Sequence, residues 1–146
     1  MSTNEFMQIE EKNYLWEHFV FNAEQRLKAF NFFVIFSVFA NGGVFAAAEK
    51  KSHGLMFVLI GGFVMALSII FWIIDARSKT LIRLAEPGLL LYEKQFRQDS
   101  QLFSNDKQKK CFFISYTIAF RTLFILQILF GIGVAIYGFY NWICVQ

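Results

Sequence analysis

The side chains from which metal sites and catalytic centres are built are few in this sequence and stand far apart. His18 and His53 are separated by a long apolar run, and no cysteine or carboxylate cluster has metal-ligand spacing. Cys111 and Cys144 stand at opposite ends of one predicted helix, too distant for a disulfide within one chain, and are interpreted as small packing residues. No glycine motif forms a phosphate loop, and no serine has a base beside it. We therefore expect no enzymatic activity, no metal site and no cofactor.

Apolar composition is the dominant property of the chain. Of its 146 residues 56% are hydrophobic and 20 are phenylalanine, which is unlike a soluble domain of this length. Three segments without a charged residue are long enough to cross a bilayer as helices: 30–48, 55–74 and 122–144. The sequence therefore predicts an all-α integral membrane protein with three transmembrane helices, here called TM1, TM2 and TM3 in chain order.

The basic residues lie almost entirely on one side of these spans. Twelve of the 14 precede TM1 or lie between TM2 and TM3, and only Lys50 and Lys51 fall in the connection between TM1 and TM2. By the positive-inside rule the N-terminus and residues 75–121 are cytoplasmic, and the C-terminus is periplasmic. We expect a multi-pass protein of the bacterial inner membrane. Because the basic residues are explained by the orientation of the protein in the membrane, we expect no direct nucleic-acid binding.

The segments outside the spans predict long helices on the cytoplasmic side. Residues 1–12 are polar and are expected to be a flexible end, whereas 13–29 form an amphipathic cytoplasmic helix that runs into TM1. The periplasmic turn 49–54 makes TM1 and TM2 a long antiparallel hairpin extended into the cytoplasm. Region 75–121 is helical, with a loop at 98–110, after which the third helix starts. Pro87 predicts a kink or break near Glu86.

Charged residues flank the cytoplasmic mouth of this hairpin. Counting outwards from its turn places three pairs at matching levels: Lys28 with Asp75, Glu24 with Lys79, and Arg26 with Arg77. Two of the three levels combine opposite charges. We expect salt bridges there, with bends able to shift the levels by a turn.

Polar and small residues within the spans have two interpretations. Asn31, Ser37, Asn41 and Gln127 either form hydrogen bonds between helices or line a pore. Small residues that permit close helix packing recur four positions apart, as Gly62 with Ala66 and Gly131 with Ala135. Three helices offer little interior for so many such sites, so some are expected to face another copy in a homo-oligomer.

Three stretches of the sequence resemble a known family: WEHFVFNAEQRLKAFNFF, FWIIDARSKTLIRLAE and FRTLFILQILFGIG. Over about residues 14–135 the chain resembles a family of small octameric bacterial membrane proteins found in phage-defence settings. The membrane accessory protein of a type VI CRISPR system looks like a relative. The resemblance implies an eight-fold, ring-shaped homo-oligomer that forms a pore or depolarises the membrane when a defence partner senses infection.

The resemblance also assigns residues by position. It places Asn22, Arg26, Asn31, Asp75, Arg77 and Glu86 in interhelical and intersubunit contacts. The arginine and histidine ribonuclease motif once proposed for the CRISPR relative has no counterpart here, which puts a nuclease role in doubt.

Three functional hypotheses follow. The first is a ring-forming antiviral effector that permeabilises or depolarises the inner membrane; its expected partners are membrane lipids, seven further copies by resemblance and a cytosolic defence protein. The second is a non-conducting scaffold or adaptor that recruits the cytosolic partner through helix 13–29 and the basic loop 94–110. The third, a membrane-embedded lipid enzyme, lacks the required cluster of acid, base or metal residues.

Overall fold

Every described element of the protein is an α-helix. The computed structural model describes residues 3–50, 52–95, 101–108 and 116–144. The helices are α1 (Thr3–Glu49), α2 (Gly54–Glu93), α3 (Leu102–Gln108) and α4 (Tyr116–Cys144). Helices α1, α2 and α4 are long and apolar enough to cross a membrane, which confirms the all-helical class and the number of candidate spans.

Helix α1 begins earlier than the sequence predicts. It is continuous from Thr3, so the predicted helix start at residue 13 is wrong, whereas the flexibility of residues 1–12 stays a prediction. Most residues in this first part favour helices, and the Glu11 carboxylate accepts a hydrogen bond from the Tyr92 hydroxyl at 2.9 Å, which ties the segment to α2. At its other end α1 closes after Glu49, where Ser52 N donates to Ala47 O at 3.0 Å.

Pro87 does not end α2. The helix continues through it to Glu93, so of the two predicted outcomes near Glu86 the break is wrong, whereas the kink stays a prediction. A proline inside a helix removes one backbone hydrogen bond and crowds the preceding turn. Here the neighbouring residues Ala85 and Leu89 are buried, and Gly88 lies directly against the Leu15 side chain of α1. This packing holds the helix together across the proline.

The predicted loop 98–110 contains a helix. Residues Leu102–Gln108 form α3, so the loop prediction is wrong for that part. The remainder of the predicted loop, apart from Gln101, and the predicted start of the third helix near Lys110 lie outside the described residues, as does Cys111. Helix α4 is described from Tyr116 onwards.

The chain divides into two compact units. Unit 1 comprises the described parts of Met1–Lys28 and Asp75–Ile114, and unit 2 those of Ala29–Ile74 and Ser115–Gln146. Unit 1 therefore contains the first part of α1, the last part of α2, and α3. Unit 2 contains the remaining parts of α1 and α2 together with α4.

Unit 2 has two apolar clusters at different levels along its helices. One contains Val44, Ala47, Phe57 and Val134, and the other contains Phe33, Phe120 and Phe124. In the second cluster, Phe30 and Phe120 stack with ring centroids 3.7 Å apart, and Phe33 meets Phe124 edge-on at 4.7 Å. Phe57 near the start of α2 packs with the end of α1, whereas Phe71 further along contacts Phe33. The α1 and α2 segments of unit 2 are therefore antiparallel.

The outward faces of unit 2 are also apolar. Phe39, Phe45, Leu59 and Ile136 are each about two-thirds exposed or more. Exposed apolar surface of this extent marks contact with lipid or protein. Unit 2 thus has the surface expected of a membrane-spanning bundle.

Candidate functional site

A polar pair joins α1 to α4 inside the apolar part of unit 2. Gln127 Nε2 donates to Asn41 Oδ1 at 2.7 Å, and Asn41 Nδ2 donates to Gln127 Oε1 at 3.4 Å. Along α1, Asn41 lies between Phe33 and Val44, which belong to the two different apolar clusters. The two amides satisfy each other, as polar groups must at membrane depth. Two residues predicted from sequence as interhelical or pore-lining are therefore in contact.

Two serines are buried in the same unit. Ser68 is fully buried and its hydroxyl donates to the Val64 carbonyl one turn earlier at 2.8 Å. Ser37 Oγ is buried and makes no hydrogen bond to the described residues. We refer to Ser37, Asn41, Ser68 and Gln127 together as the polar set. By contrast Asn31, the fourth sequence candidate, has an exposed side chain on α1.

Glycines of α2 and α4 bring these two helices into close contact in unit 2. A Cβ atom added at Gly61 would lie 2.6 Å from the Gly131 carbonyl oxygen and 2.7 Å from the Ala135 nitrogen. At the next level, a Cβ added at Gly138 would lie 2.7 Å from the Gly54 carbonyl oxygen. Only hydrogen fits at these positions, so backbone meets backbone.

These glycines differ in part from the predicted packing residues. Gly131 and Ala135 lie in the contact, as their spacing indicated, but the α2 residue opposite them is Gly61. Gly62 has no neighbouring atom within 4 Å of an added Cβ, and Ala66 is exposed. Packing of Gly62 and Ala66 against another copy stays a prediction. The missed signal was the seven-residue spacing of Gly54 with Gly61, matched by Gly131 with Gly138.

An ion pair connects α1 and α2 in unit 1. Arg26 Nε donates to Asp75 Oδ1 at 2.6 Å, and the two side chains are only 15% and 7% exposed. Lys28, the predicted neighbour of Asp75, instead pairs with Glu24 on its own helix at 3.2 Å, with both side chains largely exposed. Residues 26 and 28 point about 200° apart around a helix. The direction of the side chain, and not its height along the helix, therefore determines which residue pairs with Asp75.

The other residues assigned to this region differ in exposure. Asn22 is buried one turn before Arg26, where its Nδ2 donates to the His18 carbonyl at 2.7 Å and lies 3.3 Å from His18 Nε2. Arg77 is exposed, whereas Lys79 and Glu86 are partly buried and take part in interactions.

A buried carboxylate that the sequence did not single out lies at the end of α2. Glu93 is 6% exposed, and its two oxygens accept the backbone N–H groups of Phe103 and Ser104 at 2.8 and 3.0 Å. At the preceding residue, desolvation and the Glu11 carboxylate, which accepts the hydrogen bond from the Tyr92 hydroxyl, raise the pKa of the Tyr92 phenol.

The contacts described for these side chains are hydrogen bonds and ion pairs. Among the described residues, no group of three or more His, Cys, Asp or Glu side chains is placed to hold a metal ion. Cys144 is a free, exposed thiol at the end of α4. The notable sites are the polar set, the glycine contact, the Arg26–Asp75 pair and Glu93.

Comparison with known proteins finds a similarity to a bacterial protein. The chain resembles an Escherichia coli protein named CD-NTase-associated protein 19, with 29% identity over 131 residues that cover 79% of this chain and 87% of the relative. No protein-family model matches the sequence. No solved structure matches it either.

Proposed function

We propose that this chain is the membrane effector of an antiphage defence system, acting as an oligomeric ring that permeabilises or depolarises the bacterial inner membrane when activated. The observation that carries the proposal is the polar set, of which the two serines are buried and Asn41 and Gln127 partly buried, within three helices whose outer faces are apolar. The proposed ring has eight copies, following the family resemblance, and its N-terminus is cytoplasmic. The proposed action needs no catalytic residue.

The similarity to CD-NTase-associated protein 19 supports the defence setting. That protein's name associates it with a CD-NTase, the enzyme of CBASS antiphage systems, and the alignment extends over most of both chains. We therefore propose a CBASS-type system as the context and a cytosolic component of that system as the activating partner.

Buried polar residues support a membrane-active role over a purely passive anchor. Hydrocarbon strongly disfavours polar side chains, so their presence in a span marks helix association or a path for polar solutes. In a resting protomer the Asn41–Gln127 pair is closed on itself. In the proposed active ring, separation of α1 from α4 would present these amides to water along the conducting path.

The test is ion leakage from cells and liposomes. Cells expressing the protein with its neighbouring defence genes are infected with phage while a potential-sensitive dye reports depolarisation. Asn41→Leu combined with Gln127→Leu is expected to reduce leakage, whereas Thr122→Val, at an exposed position of α4, is expected to leave it unchanged. Intact membrane potential in infected cells carrying the wild-type system would refute the effector proposal.

A non-conducting scaffold is the alternative, and one observation favours it. In unit 1, helix α1 exposes Tyr14, Trp16 and Phe21, each by half or more, outside the uncharged span. Exposed aromatic residues are common anchors in protein interfaces. A pull-down that recovers a defence protein with wild type, but not after Tyr14→Ser and Phe21→Ser, together with intact membrane potential, would favour the scaffold.

The assembly itself is the first measurement to make. Light scattering and two-dimensional class averages of the detergent-solubilised protein give its mass and symmetry. A closed ring of about eight copies would support the effector. A monomer or dimer would remove the basis for a central path and favour the adaptor.

A further inference from the structure

Helix α3 depends on a carboxylate from outside itself. The first N–H groups of a helix have no partner within it, and at α3 two of them are bound by Glu93. A helix of seven residues is far too short to be stable alone in water. Charge-assisted bonds from a buried carboxylate are roughly twice as strong as neutral ones, so Glu93 supplies a large part of what holds α3 in place.

An aromatic contact also secures α3 to unit 1. The Phe103 ring meets Phe19 of α1 edge-on, with centroids 5.3 Å apart. Leu102 is 74% exposed. Together Leu102 and Phe103 form one wall of a cavity of about 380 Å³ that Trp16 and Leu89 also line. A helix of only seven residues beside a cavity, with an exposed leucine at its start, has the features of a segment that opens before the rest of a structure.

We propose that α3 is a releasable strap of unit 1 and that Glu93 is its latch, which holds the protein in its resting state. When both hydrogen bonds break, Phe103 leaves Phe19, the cavity opens, and the face of Phe19 that Phe103 covered becomes accessible beside the already half-exposed Trp16. The strap is the element through which a cytosolic signal is transmitted to unit 1. This regulatory role rests on the proposed membrane function, whereas the latch itself does not.

Hydrogen–deuterium exchange of the full-length protein in detergent tests the latch without reference to activity. Glu93→Gln keeps the size of the side chain but removes its charge. The residues 101–108 are expected to exchange about tenfold faster or more, from the loss of charge-assisted bonds. Glu24→Gln, at an exposed carboxylate of the same unit, is the matched control and leaves that rate unchanged. Equal exchange in wild type and Glu93→Gln would overturn the latch.

A second variant distinguishes release of α3 from unfolding of the whole protein. Phe103→Ala removes the ring contact but leaves Glu93 intact, and it is also expected to raise exchange over 101–108. In both variants the exchange of α4 stays at the wild-type rate. If exchange rises equally throughout the protein, or only outside 101–108, α3 is not a separable strap and the proposal fails.

Dye leakage then tests the regulatory part. Glu93→Gln is expected to leak at least severalfold more than wild type when the activating partner is absent. Leakage that depends on the partner equally in wild type and Glu93→Gln would overturn regulation by the strap. If no form leaks under any condition, the membrane function fails instead, and the exchange data still decide whether Glu93 is a latch.

Discussion

Replacing Gly61 by alanine adds a methyl group where the α2–α4 contact has space only for hydrogen. The new carbon would lie 2.6 Å from the Gly131 carbonyl oxygen and 3.1 Å from the Ala135 Cα atom. Both neighbours are backbone atoms, so no side-chain rotation relieves the clash. The adjacent Gly62→Ala makes the same chemical change at a position with no atom within 4 Å. The two variants differ only in what surrounds the methyl group.

The expected difference in stability between the two variants follows from two opposing contributions, helix propensity and steric clash. Alanine is better than glycine within a helix by about 1 kcal/mol, and Gly62→Ala gains this without a clash inside the protomer. Gly61→Ala gains the same amount, but the helices must separate until the methyl group reaches an ordinary contact distance of at least 3.4 Å. Overpacking of this kind costs about 1–3 kcal/mol. We therefore expect Gly61→Ala to be about 1–3 kcal/mol less stable than Gly62→Ala.

Thermal unfolding of both variants in the same detergent measures this difference. For a chain of this size, each kcal/mol corresponds to about 2–4 °C in Tm. Gly62→Ala is expected to unfold at or above the wild-type Tm, and Gly61→Ala several degrees below Gly62→Ala. If the two variants unfold at the same temperature, or Gly62→Ala unfolds first, the reasoning from the α2–α4 contact is refuted.

Three further predictions concern polar groups. Asn41→Leu and Gln127→Leu, combined in a double-mutant cycle, are expected to show a coupling of about 0.6 kcal/mol and not above about 2; zero coupling would contradict the amide pair. Arg26→Leu is expected to destabilise the protein by about 3–5 kcal/mol, because Asp75 is left buried and unpaired. In a protein that already carries Asp75→Leu, the same change is expected to cost much less. If chemical unfolding shows that the two losses are additive, the buried pair is contradicted. Ser37→Ala is expected to be neutral or stabilising, because its hydroxyl has no partner among the described residues; a loss above about 1 kcal/mol would reveal an undetected hydrogen bond.

The broad architecture was predictable because hydrocarbon imposes one strong constraint. A stretch with no charged residue and enough length to cross a bilayer has few alternatives to a helix, and three such stretches became parts of α1, α2 and α4. The sequence could not show that α2 continues without a break at Pro87, because the local rule for proline does not include packing. The packing of Leu15 against Gly88, which supports the helix there, lies far away in sequence.

The details of the sites depend on the direction in which each side chain points. Counting residues outwards from the turn gives only the height of a residue along its helix. Asp75 was expected to meet Lys28, yet its partner Arg26 is two residues earlier, because only Arg26 faces α2. Likewise Gly61 and Gly62 are identical, adjacent residues, but they lie about 100° apart around the helix. Helix α3 was not predictable from its polar sequence, since its first turn is completed by Glu93, ten residues earlier in the chain.

The paired glycines also set the axial register of α2 against α4. Gly54 opposes Gly138, and Gly61 opposes Gly131, with a spacing of seven residues on each helix. Sliding one helix along the other to the next matching position requires a step of about 10 Å, and only one glycine pair would then remain. At intermediate positions a Cβ atom would press on the opposite backbone. The apolar side chains that flank these glycines contact lipid equally well at any relative axial position of the two helices. The glycine pairs therefore select a single alignment when α4 inserts beside α2.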